Sequence, residues 1–168
     1  MKSIFDKLSI VLVGTTHPGN IGAVARAMKT MSQKNLRLVN PLHFPSAEAS
    51  ARAAGADDIL AKCKQFSTLE EAIKDCDLVI GTSARIRGIP WPMILPRECA
   101  KKIFEETNSS VAIVFGRESS GLSNNELQLC NMVLKIPTNS EFNSLNLAAA
   151  VQIICYEIYI LANDIKTI

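Results

Sequence analysis

Five short apolar runs rich in β-branched residues recur along the chain, at Ile10–Val13, Leu36–Val39, Leu78–Ile80, Val111–Phe115 and Met132–Ile136. They are nearly continuous rather than alternating, the mark of strands buried on both faces of a parallel sheet. Amphipathic stretches lie between them, and the spacing predicts helices over Ile21–Met31, Ser46–Ala54, Leu69–Asp75, Pro96–Glu106 and Asn124–Leu129. Strand and helix in alternation predict an α/β doubly wound fold, a parallel sheet flanked by helices. Ligands of such sheets bind in the loops that leave the carboxyl ends of the strands. Three loops qualify: Gly81–Ala84, Gly116–Glu118 and the long stretch Ile136–Asn146. They converge if the strands before them are neighbours. Their hydroxyls and amides carry little net charge, which suits a neutral or zwitterionic ligand better than a triphosphate.

The stretch Leu145–Leu161 is apolar nearly all round, broken mainly by Asn146, Gln152 and Glu157. A helix of that kind needs cover on most of its sides, from the core or from a second copy of the chain. No apolar run reaches the ~20 residues that span a bilayer, so no membrane association is expected.

Composition narrows the picture further. The 168 residues are 48% hydrophobic and 20% charged, enough for one compact domain over residues 1–168 and too apolar for a disordered segment. Eighteen Lys and Arg against sixteen Asp and Glu leave a formal charge of +2, so any nucleic-acid contact must be local. Candidate contacts are Arg85 and Arg87 beside the first ligand loop, and Lys29, Lys34 and Arg37 near the first long helix. Trp91, between two prolines, either stacks on a base or packs a loop. The five cysteines, Cys63, Cys76, Cys99, Cys130 and Cys155, include no CxxC, and only His17 and His43 could join them. Structural zinc is disfavoured, no metal is expected, and a reducing, cytoplasmic setting is.

Two familiar motifs fail on inspection. The loop Gly14–Gly22 has the Gly14 to Gly19 spacing of a phosphate loop, but Asn20 and Ile21 stand where Lys and Ser/Thr must hold phosphate and magnesium. A dinucleotide fingerprint would need glycine at Thr16, and the second strand ends at Val39-Asn40 without an acid for a ribose. Around Ser119, a nucleophile elbow needs glycine where Arg117 sits, and both histidines precede the serine. Asn20 and Arg26, polar groups on an otherwise apolar helix, are left without a role by these readings.

Four segments, NIGAVARAMKTM (20–31), GTSARIRGIPWPMILPRE (81–98), VFGRESSGLSNNEL (114–127) and IPTNSEFNSLNLAAAVQIICYE (136–157), resemble the TrmH-like class of SPOUT methyltransferases. TSAR followed by PWP resembles, within that class, the TrmJ group of tRNA ribose 2′-O-methyltransferases. The resemblance covers essentially the whole chain. It implies a carboxyl-terminal trefoil knot, a homodimer, S-adenosyl-L-methionine as methyl donor and tRNA as substrate, with a cytidine or uridine at anticodon-loop position 32 as the target. Ribosomal RNA, or a catalytically silent RNA-binding role, is the alternative. By motif, the donor would contact Thr82, Ser83, Ala84, Gly116, Ile136, Ser144, Leu145 and Asn146. The catalytic set implied is Asn20, Arg26, Glu118, Ser144 and Asn146, with Arg26 reaching the donor of the partner subunit. A guanidinium of pKa above about 12 is a poor base, so Arg26 is expected to bind substrate phosphate and steady the forming alkoxide, oriented by Asn20 or Glu118. Members of that group usually continue into a helical extension that assists tRNA binding. Ending at Ile168, the chain is expected to bind tRNA weakly.

Overall fold

The apolar runs assemble into an all-parallel sheet of seven strands in a computed structural model that describes residues 3–83, 88–106 and 108–167, with side chains as far as residue 164. The strands are β1 (Leu8–Val13), β2 (Leu36–Val39), β3 (Lys64–Phe66), β4 (Leu78–Thr82), β5 (Met93–Ile94), β6 (Val111–Phe115) and β7 (Met132–Leu134), ordered β3-β2-β1-β6-β4-β7-β5 across the sheet. All five predicted strands are present. The two without a sequence signal, β3 and β5, are the edges, where two or three half-exposed residues suffice for one row of hydrogen bonds.

The helices are α1 (Ile4–Lys7), α2 (Pro18–Thr30), α3 (Ala47–Ala53), α4 (Asp57–Lys62), α5 (Leu69–Ile73), α6 (Pro96–Glu105), α7 (Asn124–Gln128) and α8 (Leu147–Thr167). Two cores lie on opposite faces of the sheet. Leu8, Ile10 and Leu12 of β1 join residues of α2, α4, α6 and α8 on one face, whereas Val11 and Val13 meet α5 and α7 residues on the other. Helix α2 begins earlier than its apolar periodicity indicates because Pro18 supplies a preset first-turn φ. It then packs closely on α3: a Cβ at Gly22 would lie 2.0 Å from the Ala49 carbonyl oxygen.

Helix α8 starts two residues later than predicted and runs six further. Its 18-residue stretch Leu147–Asp164, with mean hydropathy 1.3, is long and apolar enough to cross a membrane by length and composition alone, a test that a core helix also passes. One face is buried nonetheless: Val151, Ile154, Cys155 and Ile158 are inaccessible within the core shared with α2 and α6. Tyr156 and Ile160 point away from it, 49% and 38% exposed.

Candidate active site

Strands β6, β4 and β7 are adjacent, so the loops that follow them leave the sheet side by side, as the sequence required for convergence. The strand ends are laced together: the Thr82 hydroxyl donates to the Val114 carbonyl at 2.9 Å, and the Ser83 amide to the Leu134 carbonyl at 3.0 Å. Thr82, Ser83, Gly116 and Ile136 thereby share one end of the sheet. Ala84, Arg85 and Arg87 lie outside the described residues.

Gly116 opens a turn closed on itself, in which Arg117 and Gly121 exchange backbone hydrogen bonds of 3.3 and 2.9 Å. A Cβ on Gly116 would sit 2.2 Å from the Gly121 carbonyl carbon and 2.3 Å from the Leu122 nitrogen. Glycine is therefore required here by the loop's own backbone, and a larger residue would distort the turn before it reached any ligand.

The next residues in this turn grip the loop between β1 and α2. Glu118 accepts from the Thr16 amide (3.0 Å), the His17 amide (3.0 Å) and the Asn20 side-chain amide (2.8 Å). Partial burial works against its charge, but the two amides and Asn20 prevail and hold its carboxyl at about 2. Glu118 is thus a committed anion at the open first turn of α2, where His17 provides no side-chain cap. Asn20 and Glu118 come together as expected, but with each other. Neither orients Arg26, which is exposed and makes no hydrogen bond or ion pair with any described residue.

Of the residues before α8, Asn146 caps the helix, its side-chain oxygen accepting from the Ala149 amide at 2.8 Å. Ser144 is exposed, and Leu145 is 38% exposed. Phe142 projects from a small turn braced by Asn139 and is 78% exposed.

The proposed cations fare unevenly. Lys29 is bonded to Asp58 and to the Gly55 carbonyl, Lys34 is paired with Asp6, and Arg37 makes a two-pronged contact with Asp75. Lys34 and Arg37 also line a groove of 330 Å³ around the amino ends of β1 and β2, the opposite end of the sheet from the ligand loops. Lys34 and Arg37 therefore lie away from the ligand loops. The Trp91 indole donates to the Leu127 carbonyl at 2.9 Å, which favours the loop-packing role over base stacking.

Sequence reasoning missed the pair behind this loop. Arg117 meets Glu126 through two hydrogen bonds of 2.9 and 3.0 Å, while Glu126 also accepts from the Ser123 amide to complete a capping box on α7. The spacing Ser123-x-x-Glu126 signals the cap. Nothing in the spacing signals Arg117.

Residues 7–156 match the model of the SpoU rRNA methylase family. The chain belongs to that family. It is 55% identical over 157 residues to the tRNA (cytidine/uridine/adenosine-2′-O-)-methyltransferase TrmJ of Pseudomonas aeruginosa, a match that covers 92% of this chain and 61% of that protein. Among solved structures it resembles a methylase-family protein of Haemophilus influenzae (45% identity, TM-score 0.91, 98% of this chain and 70% of that one). TrmJ of Z. mobilis is also similar (39% identity, TM-score 0.87, 90% of this chain and 67% of that one). The chain thus spans about 61% of the length of the curated TrmJ it matches.

Proposed function

We propose that this chain is the methyl-transferring domain of a tRNA ribose 2′-O-methyltransferase, acting on cytidine or uridine with S-adenosylmethionine as donor. Position 32 of the anticodon loop is the expected target, in the cytoplasm. The observation that carries the reading is the clasp between Glu118 and Thr16, His17 and Asn20. It ties the helix bearing Arg26 to the turn after β6 within one subunit, and so fixes the position from which Arg26 would be offered to the partner's donor. The named activity of the 55% identical Pseudomonas protein supports the same reaction. The reading includes the knotted threading of the carboxyl-terminal segment and a homodimer in which Arg26 serves the partner's donor.

Thr82, Ser83, Ala84, Gly116, Ile136, Ser144, Leu145 and Asn146 would hold the donor. When bound, it supplies an electrophilic methyl group and its own neutral thioether leaving group. The chain's residues then have to align the ribose hydroxyl and manage its proton; alignment of this kind is worth up to ~7–11 kcal/mol. Glu118, saturated with hydrogen bonds and held at about 2, is a poor proton acceptor and acts as a brace. Arg26, exposed and unpaired among the described residues, is available to clamp a substrate phosphate and steady the developing alkoxide. The proton leaves to water.

Arg26→Ala tests the division of labour: methyl transfer to tRNA should be lost while donor affinity by calorimetry stays within error. Arg26→Lys should also fail, since an ammonium lacks the planar fork. Near-normal turnover by the lysine variant would remove the phosphate clamp. Transfer to ribosomal RNA in preference to tRNA would favour the family's other named substrate class.

A further inference from the structure

The Arg117–Glu126 pair lies outside every set of contacts described for substrate or donor, yet it sits at the one point where three structural units meet. Its guanidinium reaches α7 through Glu126 at 2.9 and 3.0 Å and the end of its own turn through the Gly121 carbonyl at 3.3 Å. Its aliphatic part lies under the turn that follows β1. A Cβ at Gly14 would be 2.9 Å from Arg117 Nε and 3.0 Å from Cγ, and Gly14 has a φ of +63° that only glycine adopts without strain. The neighbouring Glu118 holds the same loop from its far side, through Thr16, His17 and Asn20.

We propose that Arg117 is a positioning residue: fixed by Glu126, it forms the floor on which the β1–α2 loop rests, so that Glu118 can grip that loop and fix α2, and with it the Arg26 that is offered to the partner's donor. Two consecutive side chains thereby clasp one loop from both sides. Glu126 is itself held by the α7 cap, so the floor is anchored in a secondary-structure element rather than in a free loop. A planar fork bonded on both prongs cannot be replaced by lysine without losing one contact. The donor loop keeps two backbone hydrogen bonds between residues 117 and 121 when the guanidinium and its 3.3 Å contact with the Gly121 carbonyl are removed. Loss of the side chain should therefore strike the substrate step and spare the donor.

The kinetic arm of the test rests on the methyl-transfer reading, and a second arm does not. In Arg117→Gln, kcat/KM for tRNA is expected to fall about 10- to 100-fold, the scale of a small misplacement of reacting groups, with donor affinity by calorimetry unchanged. Arg117→Lys should fall between this and the unaltered chain. Carbon-detected NMR of the Glu118 carboxyl supplies the independent readout: its titration should move up from about 2 once the loop it grips is no longer supported. Should Arg117→Gln fail to fold, Glu126→Gln, which keeps an oxygen for the α7 cap, serves instead. An unmoved Glu118 titration in the folded variant overturns the clasp, as does a loss of donor binding in step with turnover. If the unaltered chain methylates no tRNA, the proposed activity falls, while the titration still decides the role of Arg117.

Discussion

At the scale of single residues, the fold holds Glu118 firmly in its ionised form. Its carboxyl sits at about 2 against an ordinary 4.5, with burial opposing the charge and the Thr16 and His17 amides and Asn20 favouring it. A depressed carboxyl stabilises the folded state above its unfolded value, and the contribution disappears as pH falls through the folded one. Glu118→Gln should therefore be less stable than the unaltered chain at neutral pH, with the difference closing as pH drops from about 4.5 towards 2. Chemical denaturation at several pH values measures this, and a difference independent of pH would contradict it. The sequence pointed to Glu118 through motif resemblance alone and to Asn20 also as an unexplained polar group on an apolar helix, but nothing local joined the two. The reason is physical: the bond joins residues 98 positions apart, and only the pairing of β1 with β6 brings them together. Arg117 stayed invisible for the same reason, because its partner lies nine residues away across a turn that periodicity does not describe.

Among the elements, continuous apolar runs located the five central strands, since burial on both faces leaves a signal that edge strands of two or three residues cannot. The apolar stripe of α2 was equally legible, but its true start was marked by Pro18 rather than by periodicity. Gly22 shows how an apparent motif glycine can have another cause. In the sequence it completes a glycine-rich loop; in the fold it is the contact at which α2 meets the Ala49 carbonyl of α3. Alanine there gains ~1 kcal/mol of helix propensity, but the 2.0 Å approach must be relieved by moving two helices apart. Gly22→Ala is expected to lose about 1 kcal/mol net, the middle of the ~1–3 kcal/mol cost of overpacking less that gain. Thermal unfolding measures it, and a gain in melting temperature would show that the α2–α3 contact yields easily.

For the molecule as a whole, the exposed side of α8 decides where a partner would sit. Ile158 is inaccessible in the subunit core and Tyr159 packs against it. Tyr156 and Ile160, one turn apart on the uncovered face, are the positions to change. In the proposed homodimer, Tyr156→Glu with Ile160→Glu should give folded monomers by light scattering, with little methyl transfer because Arg26 no longer meets a partner's donor. Unaltered protein that is monomeric at micromolar concentration would remove that arrangement. The most direct measurement is to incubate the purified chain with S-adenosylmethionine and unmodified tRNA over a wide range of RNA concentrations, and to identify the product nucleosides by mass spectrometry. A ribose-methylated cytidine or uridine that vanishes with Arg26→Ala is the predicted result; methylation on a base, transfer unaffected by Arg26→Ala, or no transfer at any tRNA concentration would contradict it.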